Sequence, residues 1–294
     1  MGTSRSFEQL VGIPVFFKCE NFQRGGAFKI RGAANFLYSL DRERLVRGAV
    51  TYSSGNHGQA VAIAAQSLNI PVSIVMPMDA PKAKVEATRG YGAKIVFYDR
   101  VLDDREAIAK RISEATGAPI VPPYDHPWTI AGQGTVALEM LQEIPDLDAL
   151  VVPVGGGGLI SGCSIAAKGL RPGIRIFGVE PEDADDTRRS MESAKRVEIP
   201  VPHTIADGLR ATKPGAVTFP IIQEYVEDIV TVTDAQIREA MRFVLTRMKI
   251  VVEPSGAVGV AALLHHKLPE RLKKVAVILS GGNVDVEFLK TLSE

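Results

Sequence analysis

Four consecutive glycines, Gly155-Gly156-Gly157-Gly158, separate an apolar run ending at Val154 from a helical pattern over Leu159–Lys168. Glycine lets a backbone turn sharply and lets its N–H groups come close to a ligand. A helix that starts there adds unpaired amides and the positive end of its dipole. Together these suit an oxyanion, phosphate above all, although a tight turn with close helix–sheet packing is the plainer reading of any single pair. No Lys-Ser or Lys-Thr follows, so the run is not a P-loop. It also lacks the Gly-x-Gly-x-x-Gly spacing with a downstream acid that marks a dinucleotide site. The phosphate therefore belongs to something other than ATP or NAD.

Lys29 lies between Phe28 and Ile30, at the start of a helical run that continues to about Leu40. A helix N-terminus and apolar neighbours both disfavour an ammonium, so the amine is expected to titrate low. A neutral amine is what Schiff-base formation requires. A lone lysine is otherwise a surface residue whose stem lies along apolar neighbours. Ser53-Ser54-Gly55-Asn56-His57-Gly58 is a second polar strand-to-helix turn. Its hydroxyls, amide and backbone donors suit a carboxylate or a phenolic oxygen, or simply a helix cap from Ser54 or Asn56. His57 alone reads as structural, because no acid stands beside it to complete a Ser-His-Asp set. The acidic stretch Glu180-Pro181-Glu182-Asp183-Ala184-Asp185-Asp186 reads by itself as a solvated face.

These groups need a frame. Strands are expected at Val15–Cys19, Ala49–Tyr52, Val72–Met76, Lys94–Tyr98, Ala149–Val154, Ile174–Val179, Asp228–Val232 and Val275–Leu279. Several are continuously apolar, as in parallel strands covered on both faces. Helical patterns over Gln59–Gln66, Asp104–Thr116, Thr135–Ile144 and Asp234–Met248 lie between them. The alternation predicts an α/β chain of βαβ units around open parallel sheets, which bind ligands at the carboxyl ends of their strands. The polar turn at Ser53, the glycine run and Ser280-Gly281-Gly282-Asn283 each follow such a strand. Pro-rich Val121–Pro127 and Ile199–His203 read as crossings or loops. Residues 48–124 are expected to form a small domain, leaving 1–47 and 125–294 as a discontinuous larger one.

Lys plus Arg and Asp plus Glu are 34 each, so nothing argues for a nucleic-acid or anionic-membrane partner. No stretch reaches the roughly 20 apolar residues needed to span a bilayer, and the opening residues lack a signal-peptide core. The two cysteines, Cys19 and Cys163, read as buried thiols in a reducing, cytoplasmic compartment.

Taken in order and spacing, the motifs resemble the fold-type II pyridoxal-phosphate (PLP) enzymes over nearly the whole chain, and most closely the threonine/serine dehydratase and serine racemase group. The likeness rests on Phe28-Lys29-Ile30-Arg31-Gly32-Ala33, Ser53-Ser54-Gly55-Asn56-His57-Gly58-Gln59, Gly155–Gly158 and Ser280-Gly281-Gly282-Asn283. Ala131-Gly132-Gln133-Gly134-Thr135, Ala206-Asp207-Gly208 and Glu253-Pro254-Ser255-Gly256 extend it. The resemblance implies two open, twisted, mostly parallel sheets with flanking helices, as in tryptophan synthase β. It also implies PLP carried by Lys29, which moves the substrate's α-proton. Phe28 would pack on the ring, Asn56 bind the ring hydroxyl, Gly155 to Gly158 hold the phosphate and Ser280 face the pyridine nitrogen. Ser53, Ser54, Asn56 and His57 would hold the substrate carboxylate, with Gly208 beside its side chain.

A neutral serine opposite the ring nitrogen leaves that nitrogen unprotonated and the electron sink weak. That suits β-elimination: threonine to 2-oxobutyrate or serine to pyruvate, with ammonia released. Ser54, on the face opposite Lys29, permits serine racemisation as an alternative. A threo-3-hydroxyaspartate ammonia-lyase is a variant of the first reading. A silent ligand-binding member of the fold would have lost Lys29. By the same resemblance Glu180 and Asp186, with the Ala184 carbonyl, would bind Mg²⁺ or Ca²⁺ through oxygen. A homodimer is implied. The chain begins inside the family's first Arg-Thr-Pro segment, and with its end at Glu294 feedback inhibition by isoleucine is not expected.

Overall fold

The computed structural model describes residues 1–80, 82–99 and 101–293, with residues 82–84 described by their backbone alone. The chain opens with β1 (Gly2–Thr3), α1 (Arg5–Val11) and β2 (Val15–Cys19). There follow α2 (Lys29–Tyr38), α3 (Arg42–Leu45), β3 (Ala49–Tyr52), α4 (Asn56–Leu68), β4 (Val72–Pro77), α5 (Lys82–Gly90), β5 (Lys94–Tyr98) and α6 (Arg105–Thr116). The return comprises α7 (Pro127–Glu143), β6 (Ala149–Pro153), α8 (Gly158–Leu170), β7 (Arg175–Pro181), α9 (Asp186–Ser193), α10 (Thr218–Tyr225) and β8 (Asp228–Val232). The chain closes with α11 (Asp234–Phe243), α12 (Pro254–Leu264), β9 (Val275–Leu279) and α13 (Val286–Lys290). Among the described residues no helix is long and apolar enough to cross a membrane.

By its contacts the chain divides into a larger unit, Met1–Phe28 with Tyr124–Glu294, and a smaller one, Lys29–Pro123. Residues 29–47, placed with the large domain by the sequence reading, group here with the smaller unit. The cause is α2, whose Ala33, Phe36 and Leu37 join Ala60, Val61 and Ala64 of α4 in the smaller unit's core.

The larger unit holds a six-stranded sheet in the order β1-β2-β9-β6-β7-β8. All its pairs are parallel except β1 with β2. Both faces of the central strands are covered, and their residues alternate between two cores. Ala149, Val151, Val275, Val277 and Leu279 face the side of α1, α11 and α12. Leu150, Val152, Ala276 and Ile278 face that of α7, α8 and α10. This period of two explains why β6 and β9 are apolar at every position. The smaller unit holds the parallel sheet β3-β4-β5, to which Ile120 adds one bridge beside Val50.

Two helices depart from the expected pattern. Helix α7 starts at Pro127, eight residues before its expected onset, because proline is suited to the first helical position and His126 Nδ1 caps it by accepting the Trp128 N–H. Helix α11 ends at Phe243 and passes into a π-helical turn over Val244–Met248.

Candidate active site

In the larger unit, parallel β2, β9 and β6 are neighbours, so the loops after them leave the same edge of the sheet. The loop after β2 is fastened to the loop after β9. The Phe28 N–H donates to the Ser280 carbonyl at 3.1 Å, and the Gly282 N–H to the Gly26 carbonyl at 2.9 Å. Asn283 Nδ2 donates to the Gly25 carbonyl at 2.8 Å. Ser280 is buried, and its Oγ–H points to the Ser255 carbonyl at 3.4 Å. The Ser255 hydroxyl, at the start of α12, accepts the Gly208 N–H at 2.9 Å. Gly208 itself is exposed, and a Cβ on Gly155 would lie 3.3 Å from its carbonyl oxygen. Backbone bonds and the hydroxyls of Ser280 and Ser255 thus join Phe28, Ser280, Gly208 and Gly155 in one neighbourhood.

The glycine run turns β6 into α8. Gly157, the N-cap residue, has φ +91° and offers no side-chain cap. The first-turn amides of α8 are therefore left for an external acceptor. A Cβ at Gly157 would lie 2.8 Å from Ile222 Cδ1 and 2.9 Å from Thr218 Oγ1, so neither the conformation nor the space admits a side chain. A turn of this shape with uncapped amides fits a phosphate monoester.

In the smaller unit, Lys29 is the first residue of α2, and its half-buried Nζ donates to the Pro123 carbonyl at 2.8 Å. The loop after β3 enters α4 through Gly55, which provides no side-chain cap. The Ser53 hydroxyl instead accepts the Gly55 N–H at 3.2 Å. Neither Ser54 nor Asn56 is the N-cap residue, so the polar turn is not an ordinary capping sequence. Ser53, Ser54 and Asn56 remain partly accessible, whereas His57 is buried. The His57 Nε2 meets the Val121 carbonyl at 3.0 Å, so Nε2 carries the proton. Its Nδ1 has no partner among the described residues. Burial lowers the His57 pKa to about 3, with the nearby Lys29 charge adding to the effect and the Val121 bond opposing it. The imidazole is neutral at any physiological pH.

The acidic stretch is not the solvated face that its composition suggested. Glu182 and Asp183 are exposed, but Glu180, Ala184 and Asp186 are buried. Glu180 accepts the N–H groups of Thr187 at 3.1 Å and Arg188 at 3.0 Å, capping α9. Neither carboxylate oxygen of Asp186 has a partner among the described residues. Burial pushes Glu180 well above the usual carboxylate range, and Asp186 adds to this. Burial likewise raises Asp186 to about 7. No group of three or more His, Cys, Asp or Glu side chains suited to a metal occurs among the described residues; Glu180 and Asp186 are a pair of buried, interacting carboxylates.

Sequence reading missed Tyr124 and Asp125. The stretch Val121–Pro127 read as a crossing, yet it supplies the acceptors for Lys29 and His57 and the packing behind the glycine run. Its signal was faint: an aromatic and an acid inside a proline-rich segment.

The profile of a family described as "Pyridoxal-phosphate dependent enzyme" matches residues 3–281. An L-threo-3-hydroxyaspartate ammonia-lyase of Saccharomyces cerevisiae is 51% identical over 290 residues, 99% of this chain and 89% of that protein. An L-threonine ammonia-lyase of Geobacter sulfurreducens is 46% identical over 291 residues, 99% of this chain and 72% of the relative. The solved structure of maize serine racemase superposes with a TM-score of 0.95 at 45% identity, covering 99% of this chain and 89% of that one. Matched from residue 3 to residue 281 and along almost its whole length by relatives near half identity, the chain belongs to the pyridoxal-phosphate-dependent enzyme family.

Proposed function

We propose that this enzyme releases ammonia from small β-hydroxy-α-amino acids, threonine or serine first among them: water is eliminated across the α- and β-carbons, and one water is taken up again as the resulting imine hydrolyses to 2-oxobutyrate or pyruvate and ammonia. The observation that carries the reading is the uncharged, buried Ser280 hydroxyl, held in the loop that also fixes Phe28. PLP, when bound, supplies an electron sink conjugated to the substrate α-carbon, and a neutral partner for its ring nitrogen keeps that sink weak. Lys29 would anchor the cofactor and take the α-proton. The amides of Gly155, Gly156, Gly157 and Gly158 would hold the phosphate and Asn56 the ring hydroxyl, with Phe28 beside the ring. Amides of Ser53–His57 hold the substrate carboxylate, and Gly208 leaves room for the side chain.

Two variants share this machinery. The Ser54 hydroxyl suits delivery of a proton from the face opposite Lys29, which favours serine racemisation as a second activity. The likeness to the Saccharomyces ammonia-lyase supports L-threo-3-hydroxyaspartate as a further candidate substrate. Differences of a methyl group in a pocket are worth about 1–3 kcal/mol, so substrate choice is decided by assay. The test offers L-threonine, L-serine, D-serine and L-threo-3-hydroxyaspartate, following keto acid, ammonia and chirality. Keto acid from none of them sinks the lyase reading; D-serine absent while pyruvate accumulates removes the racemase variant.

Glu180 and Asp186, with the Ala184 carbonyl, are proposed to hold Mg²⁺ or Ca²⁺, whose preference for oxygen fits this donor set. The buried Asp186 carboxylate without a partner is what supports it. Added Mg²⁺ should raise the melting temperature, and Asp186→Asn should abolish that rise. A homodimer in a reducing cytoplasm completes the reading, in keeping with two free thiols, Cys19 and Cys163.

A further inference from the structure

Asp125 touches none of the groups assigned so far, yet it closes a ring of contacts through the glycine run. Its carboxylate accepts the N–H groups of Ala216 and Val217 at 2.8 Å each and of Thr218 at 3.2 Å, at the entry to α10. These are charge-assisted bonds at the positive end of a helix. Thr218 in turn donates its hydroxyl to the Gly156 carbonyl at 2.8 Å, and the Gly215 N–H reaches the same oxygen at 3.3 Å. The residue before Asp125 closes the ring. A Cβ on Gly156 would lie 2.4 Å from Tyr124 Cζ, and one on Gly158 would lie 2.7 Å from Tyr124 Cβ. The Tyr124 side chain therefore lies directly against the glycine run.

The Gly156 carbonyl and the Gly157 N–H belong to one planar trans peptide and point in opposite directions. Two donors that pin the carbonyl therefore fix where the amide aims. Gly157, with its φ of +91°, has little intrinsic preference to hold that aim unaided. Resting on the reading of Gly155–Gly158 as a phosphate site, we infer that Asp125 is a positioning residue for that site, setting the direction of the Gly157 N–H through Thr218 and the Gly156 carbonyl. Asp125 acts without touching the ligand: it fixes the entry to α10, and Thr218 and Gly215 carry the constraint to the glycine peptide.

The test compares two aldehydes on the full-length chain stripped of cofactor: PLP and pyridoxal, which lacks the phosphate. Equilibrium titration is followed by absorbance. Asp125→Ala should weaken PLP about tenfold or more, the scale of one hydrogen bond to a charged group, and leave pyridoxal within about twofold. Thr218→Val should act in the same direction with a smaller loss. Asp125→Asn should recover most of the affinity, because one oxygen still accepts from Val217 and Thr218. Equal losses of PLP and pyridoxal in both Asp125→Ala and Thr218→Val would mean general loosening and overturn the inference; so would no loss in either. An unaltered chain that takes PLP no more tightly than pyridoxal removes the phosphate site itself, and with it the reading on which the inference stands.

Discussion

In the larger unit the groups proposed to meet a ligand are peptide amides: the Gly155–Gly158 turn, with its Gly156 carbonyl tied back to Thr218 of α10 and its glycines packed against neighbours. In the smaller unit they are side chains on the first turns of α2 and α4, with Lys29 bonded to Pro123 and His57 to Val121. A site made of backbone is sensitive to shape and to whatever packs behind it. A site made of side chains is sensitive to identity. Substitutions in the two units should therefore fail differently, the smaller unit losing chemistry and the larger losing grip.

The sharpest separation lies at Lys29. Lys29→Ala should abolish the visible absorbance of the bound cofactor and lower turnover by roughly 10³–10⁴-fold, as for a lost acid–base group. A coloured, fully active Lys29→Ala protein would break the comparison on its chemical side. Ser54→Ala should lower any D-serine formation about 100-fold while changing pyruvate formation much less, as read by chiral chromatography against a keto-acid assay. Equal falls in the two products would assign Ser54 to binding alone. Gly157→Ala places a Cβ at positive φ and against Thr218. Strain of about 1–3 kcal/mol predicts cofactor affinity weakened roughly 5- to 150-fold, measured by dialysis of the holoenzyme. Normal retention of cofactor would show that the turn's shape is not what grips.

A further effect concerns stability in acid and leaves function at neutral pH untouched. His57 is held to a pKa of about 3 against 6.5 in an unfolded chain. The unfolded state therefore binds the extra proton between those values. Stability present above pH 6.5 is lost as the pH falls towards 3, at about 1.4 kcal/mol per pH unit within that window. His57→Gln retains an N–H donor but does not titrate, so urea unfolding at pH 7, 5 and 4 should show a flatter acid limb. An unchanged slope would mean that His57 is not the group that titrates.

The frame was legible where burial writes on sequence. β6 and β9 are apolar at every position because helices cover both faces, and such runs announce themselves. β1, two residues long, has no period to read. α7 was hidden at its start because Ala131-Gly132-Gln133-Gly134 weakens the helical pattern and Pro127 resembles a breaker, although it occupies a first helical position. The motifs proposed to bear chemistry were legible as candidates because glycine, serine and asparagine cluster just after β3, β6 and β9. Asp125 was not, since its three acceptor bonds reach residues about ninety positions away. Glu180 and Asp186 were singled out by resemblance and not by composition: a charge run is ordinarily wet, and only the folded chain shows which of its members turn inward.

The alternation along β6 has a thermodynamic corollary. Val151 and Val152 are joined by a peptide bond, yet they belong to different cores. Val151 and Val277 are far apart in the chain but pair in register and share one core. Truncations at Val151 and Val152 should therefore add, having no packing partners in common, whereas those at Val151 and Val277 should couple. Along these strands, nearness in sequence is a poor guide to which residues share an energy, and the sheet acts as a wall between two bodies that fold against it from opposite sides.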